Sequence, residues 1–81
     1  MRRECIEELV HGNREIEFEY RRSRYSITYP KIDGKKKVCV TKFYGKPVYV
    51  DSADAALKAK IGKRTLEDIF SKLPDSAFDI Y

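Results

Sequence analysis

Two stretches of strict apolar–polar alternation constrain this chain most: Glu15-Ile16-Glu17-Phe18-Glu19-Tyr20 and Arg24-Tyr25-Ser26-Ile27-Thr28-Tyr29. Side chains on a strand point alternately to opposite faces, so a period of two puts all six apolar residues on one face of a hairpin. A turn at Arg22-Ser23 is expected, pairing Tyr20 with Tyr25, Phe18 with Ile27 and Ile16 with Tyr29. Asp33-Gly34 is a type I′ turn signal that sets Ile32 opposite Lys35, Tyr29 opposite Val38 and Ile27 opposite Val40. A three-residue turn at Tyr44-Gly45-Lys46 is expected to bring Val40 opposite Val50 and Lys42 opposite Val48, keeping Val48 and Val50 inward. The outer face then reads Glu17, Thr28, Cys39 in one row and Glu19, Ser26, Thr41, Tyr49 in the next.

Helical periodicity flanks the strands. Cys5, Ile6, Leu9 and Val10 recur at helical spacing over residues 2 to 11, and Gly12-Asn13 terminates the run. Asp51 or Ser52 caps a second helix whose apolar side is Ala53, Ala56, Leu57 and Ile61, up to Gly62. Thr65 to Asp68 forms a capping box for a third, with Leu66, Ile69, Phe70 and Leu73 inward and Pro74 as its stop. Phe78, Ile80 and Tyr81 form a tail that either docks or frays. The expected fold is therefore α+β: one domain over residues 1–81, an antiparallel four-stranded meander with an N-terminal helix and one or two C-terminal helices covering one face. A core this small leaves a homodimer as one route to added stability.

Charge is distributed unevenly. Arg21 to Lys46 holds nine Lys or Arg against the single acid Asp33, while the segments on either side are net acidic. The strand period sends the positive charge to two ends of the sheet: Arg21 to Arg24 with Lys42 and Lys46, and Lys35 to Lys37 opposite. The candidate binding residues are Arg21, Arg22, Arg24, Lys42, Phe43, Tyr44, Lys46 and Tyr49, with cations to hold an anionic partner and aromatics to stack or pack. Glu17 and Glu19 on the same outer face oppose a polyanion crossing it.

Residues able to carry catalysis are sparse. His11 is the only histidine, Cys5 and Cys39 form no C-x-x-C unit, and both cysteines are expected as buried or half-buried free thiols. Glu17 and Glu19 read as a solvated strand face, and the four glycines are too scattered to cradle a phosphate. No catalytic residues, metal ligands or cofactor are expected, and the chain reads as a non-enzyme. It contains no apolar run long enough for a membrane helix and no secretory h-region, and the acids Glu67, Asp68 and Asp75 disfavour a lipid-facing role for the C-terminal helices.

Two resemblances add to this. The α-β-β-β-α order resembles the double-stranded RNA-binding domain in element order only. That family places lysines at the start of its last helix, whereas Lys58, Lys60, Lys63 and Arg64 here lie between two helices, and no residue is carried over. The Glu15-to-Arg21 and Tyr25-Ser26-Ile27 stretches, with Gly62-Lys63-Arg64-Thr65-Leu66, resemble small uncharacterised proteins of Gram-positive bacterial genomes and their prophages. That resemblance implies a cytoplasmic protein and a host–phage accessory role, without a particular activity. The expected function is a small binding module with a protein partner. A nucleic-acid-binding module using the basic hairpin ends is the alternative, and a globular domain whose charge is merely solvated is a third reading. No membrane partner is expected.

Overall fold

A computed structural model describes residues Met1–Tyr81. Helix α1 (Arg3–His11) turns Ile6 and Val10 inward and ends at Gly12, whose N–H donates to the Glu8 carbonyl at 2.9 Å. Strands β1 (Ile16–Tyr20) and β2 (Ser23–Thr28) form the first hairpin. A second hairpin follows, with β3 (Lys31–Ile32) and β4 (Lys35–Lys36) at its tip and β5 (Val38–Lys42) returning beside β2. Strand β6 (Pro47–Val50) pairs with β5 and leads into α2 (Ala53–Lys58). A short ribbon, β7 (Lys60–Ile61) and β8 (Arg64–Thr65), then precedes α3 (Leu66–Lys72). After a 3-10 turn at Asp75–Ala77, β9 (Phe78–Ile80) closes the order.

The fold is α+β with an antiparallel sheet in the order β6-β5-β2-β1-β9. The four expected strands are its first four, and the tail supplies a fifth by pairing Phe78 with Phe18 and Ile80 with Ile16. One apolar row, Ile80, Ile16, Ile27, Val40 and Val48, crosses all five strands. Helix side chains Ile6, Val10, Ala56, Leu57, Leu66, Ile69 and Phe70 cover the centre of that face. Phe18 sits at the middle, stacked on Tyr25 at 5.4 Å and edge-on to Phe70 at 4.8 Å. Cover thins outward along the row: Ile16 is fully buried, whereas Val48 at the β6 edge is 52% exposed.

Two registers differ from expectation, each by two residues, which preserves the inward face. The first hairpin turns at Arg21-Arg22, with φ +50° and +64°, so Phe18 faces Tyr25, Ile16 faces Ile27 and Tyr20 faces Ser23. Both central residues are left-handed, as a type I′ turn requires to match the strand twist, although neither is Gly or Asn. In the last hairpin Val40 faces Val48 and Val38 faces Val50. Its connection is longer than three residues because Lys42–Gly45 forms a turn of its own, closed by the Gly45 N–H on the Lys42 carbonyl at 2.8 Å. The outer rows consequently read Glu17, Ser26, Thr41 and Thr28, Cys39, Tyr49. The second hairpin has its expected Ile32–Lys35 and Ile27–Val40 pairs, with Asp33 and Gly34 both left-handed.

Helix α2 stops at Lys58, three residues before Ile61. Gly62 takes φ +65° and turns the chain into the ribbon, closed by the Leu66 N–H on the Ala59 carbonyl at 2.8 Å. Ile61 keeps its core contact from a strand position. Both expected caps form: Ser52 Oγ accepts from the Ala55 N–H at 3.1 Å, and Thr65 Oγ1 from the Asp68 N–H at 3.2 Å. Cys39 is buried, whereas Cys5 is exposed on the solvent arc of α1, contrary to its expected half-buried place. No helix is long and apolar enough to cross a membrane.

Candidate functional site

Arg21 and Arg22 in the β1–β2 turn lie at the same end of the sheet as the β5–β6 connection, because Tyr25 pairs with Lys42 and the Phe43 N–H donates to the Arg24 carbonyl at 2.8 Å. The β7–β8 turn joins them there: Arg21, Gly62, Lys63 and Arg64 line one open cleft. A second cleft of about 170 Å³ opens on the inner side of β6. Tyr25, Val40 and Val48 from the sheet, Ala59 at the end of α2, Ile61 from the ribbon and Leu66 from α3 form its apolar wall. Lys42, Lys46 and Lys60 supply its remaining lining.

Ion pairing separates the cations. Arg24 reaches Glu17 at 3.3 Å and also binds Asp79 of β9, and its guanidinium is held above its usual pKa chiefly by Asp79. Arg24 is thus committed to the sheet and drawn away from the other expected cations, and Tyr49 sits opposite Cys39 on the outer face, outside both clefts. Arg64 pairs with Asp68 at 2.9 Å, which holds the Asp68 carboxyl below its usual range. Arg21, Arg22, Lys42, Lys46, Lys60 and Lys63 form no ion pair. At the other cationic end Lys36 Nζ donates to the Val10 carbonyl at the end of α1 at 2.7 Å and Lys37 binds Asp51, while Lys31 and Lys35 at the tip form no ion pair. Lys36 and Lys37 hold the second hairpin against the helices.

Backbone conformation points to the same end. Five non-glycine residues have positive φ. Asn13 and Asp33 are residue types that tolerate it, whereas Arg21, Arg22 and Tyr44 are not. Those three lie together at the end described above. Tyr44 is fully exposed, Phe43 is 40% exposed and Tyr49 is 51% exposed, so no helix covers the three aromatics. Arg21 lies over the Tyr20 ring at 5.4 Å.

The open edge of β6 offers little for strand addition. Since the Phe43 N–H points to β2, alternation along β5 turns the groups of Val38 and Val40 toward β6, where they face Val50 and Val48. Pro47 and Tyr49 then carry the solvent-facing backbone of β6, and proline has no N–H. A single complete donor–acceptor pair, at Tyr49, is a poor template for another strand. No cluster of three or more His, Cys, Asp or Glu side chains is arranged to hold a metal ion.

Of the expected residues, Arg21, Arg22, Lys42 and Lys46 are gathered at this end, and Lys60 and Lys63, which were not among them, join there. The Gly62-Lys63 dipeptide was the available signal, since a glycine-led turn there folds the lysines back toward the first hairpin. Compared with family models, curated proteins and solved structures, the chain finds no match.

Proposed function

We propose that this chain is a small non-enzymatic binding module whose basic end takes an acidic segment of a partner protein. The observation that carries the reading is the gathering of six unpaired cations with three side chains held left-handed against their residue preference. Natural sequences place such local conflicts where a side chain is needed in a fixed position. The aliphatic cleft beside the lysines favours a polypeptide over a nucleic acid, since bases stack on aromatic faces rather than fill aliphatic pockets. The accessory role in a bacterial or prophage cytoplasm implied by the resemblance belongs to the same reading.

A second reading has its own observation: Phe43 and Tyr44 are exposed between Lys42 and Lys46, and Tyr49 is exposed on the outer face of β6, so aromatic faces of the kind on which single-stranded nucleic acid stacks are open to solvent. Asp79, Glu17 and Glu19 on the outer face weigh against it, because a strand crossing that face meets carboxylates. Titration of a fluorescent acidic peptide and of a labelled oligothymidylate at matched charge, over a salt series from about 50 to about 200 mM, separates the two. Peptide binding with weak oligonucleotide binding is expected. Tight oligonucleotide binding that collapses with salt, with none of the peptide, refutes the protein reading.

A further inference from the structure

We propose that the cleft under β6 seats one apolar side chain of the size of Leu or Phe, presented by the acidic segment with carboxylates on both sides of it. The inference rests on the acidic-partner reading and adds the chemistry of its anchor. The cleft measures about 170 Å³, close to the roughly 150 Å³ that an apolar cavity needs to take a benzene-sized group. Its wall is aliphatic apart from the Tyr25 ring, and it opens where Val48 loses the cover of the helices. Lys42, Lys46 and Lys60 come from three different segments, β5, the β5–β6 connection and β7, so the cations are spread around the opening. No acid lines it, and none of the three lysines is ion-paired. An apolar side chain without flanking charge leaves the lysines unsatisfied. A purely acidic segment leaves Val40, Val48 and Ile61 in water. A segment that alternates carboxylates about a central Leu or Phe answers both, and an anchor in a desolvated pocket inside a charged rim is the arrangement that concentrates binding energy at interfaces.

Two short peptides of Asp, Glu and Ser, identical except for a central Leu or Ala, test this by fluorescence anisotropy at about 50 mM salt. The Leu peptide is expected to bind about tenfold more tightly or better. Its addition should shift the amide resonances of Val40, Val48 and Ile61, while those of Ile32 and Lys35 at the far tip stay still. Ala59→Leu, which fills the cleft, should abolish the Leu-over-Ala preference and keep the salt-dependent affinity common to both peptides. Val48→Gln, at a half-exposed edge position, gives the same readout should Ala59→Leu lose its fold. Equal binding of the two peptides overturns the anchor and leaves the acidic-partner reading standing. Binding of neither, with or without binding of an oligothymidylate, overturns both.

Discussion

Arg21 and Arg22 occupy the two central positions of a type I′ turn, where an L-residue with a full side chain is about 1–2 kcal/mol worse off than glycine. Replacing them with the residues the turn favours, Arg21→Asn with Arg22→Gly, should stabilise the fold by about 1–2 kcal/mol. On a chain of this length that raises the thermal midpoint by roughly 4–16 °C. The same variant should bind an acidic peptide more weakly. Loss of stability would mean that the Arg21–Tyr20 contact outweighs the backbone conflict and that the conflict says nothing about function. Tyr29 gives a second test at this scale. Its hydroxyl donates to the Arg14 carbonyl at 2.8 Å, and burial, aided by Glu15, pushes its pKa up to about 12 from 10.0. Between those values the folded protein keeps a phenol proton that the unfolded chain has lost, so stability falls as pH rises through the window. Urea midpoints between pH 9 and pH 11.5 should drop further for the wild type than for Tyr29→Phe.

Strands carried most of their information in the sequence, because the period-two pattern of Ile16 to Tyr29 fixes which side faces the core whatever the register. Turn chemistry sets the register, and the Arg21-Arg22 turn departs from the expected Arg22-Ser23 because no propensity rule places arginine at two left-handed positions. Ile61 fitted a helical period of α2 as well as a strand position, so only the hydrogen bonding around Gly62 distinguishes them. Lys60 and Lys63 reach the site through a long-range packing of two turns: the Gly62-Lys63 turn is legible locally, but the hairpin it packs beside is not. The tail was ambiguous for a related reason: Phe78 is buried only because Phe18 and Phe70 meet it, at 6.1 and 4.9 Å. Phe78→Ala should therefore cost about 3–5 kcal/mol, as a core substitution and not a frayed end would. The urea midpoint reads that loss directly, and a change below about 1 kcal/mol would mean that β9 adds little to the fold.

Across the whole molecule, charge divides into cations that hold the fold together and cations left over. Arg3 joins all three helices through Glu7, Asp54 and Glu67, and Lys37 with Asp51 fastens the second hairpin to the start of α2. These pairs are largely exposed, so they orient elements more than they stabilise them. The six unpaired cations at the opposite end repel one another with no internal return, which favours the unfolded chain slightly at low salt. Reversing two of them, Lys42→Glu with Lys46→Glu, should leave the thermal midpoint unchanged or raise it by a few degrees, while abolishing binding of an acidic peptide. Reversing Lys31 and Lys35 at the far tip to Glu should leave that binding intact, although the change in net charge is identical. The paired comparison separates a local electrostatic site from a general effect of net charge, since long-range attraction between exposed charges is largely screened beyond about 8–10 Å at physiological salt. A fall of more than about 10 °C in the Lys42/Lys46 variant would make those lysines structural, because a surface reversal without a lost partner lacks any mechanism for a change that large. Equal loss of binding in the two variants would remove the distinction between the ends and, with it, the assignment of the partner to the turns of the first and last hairpins.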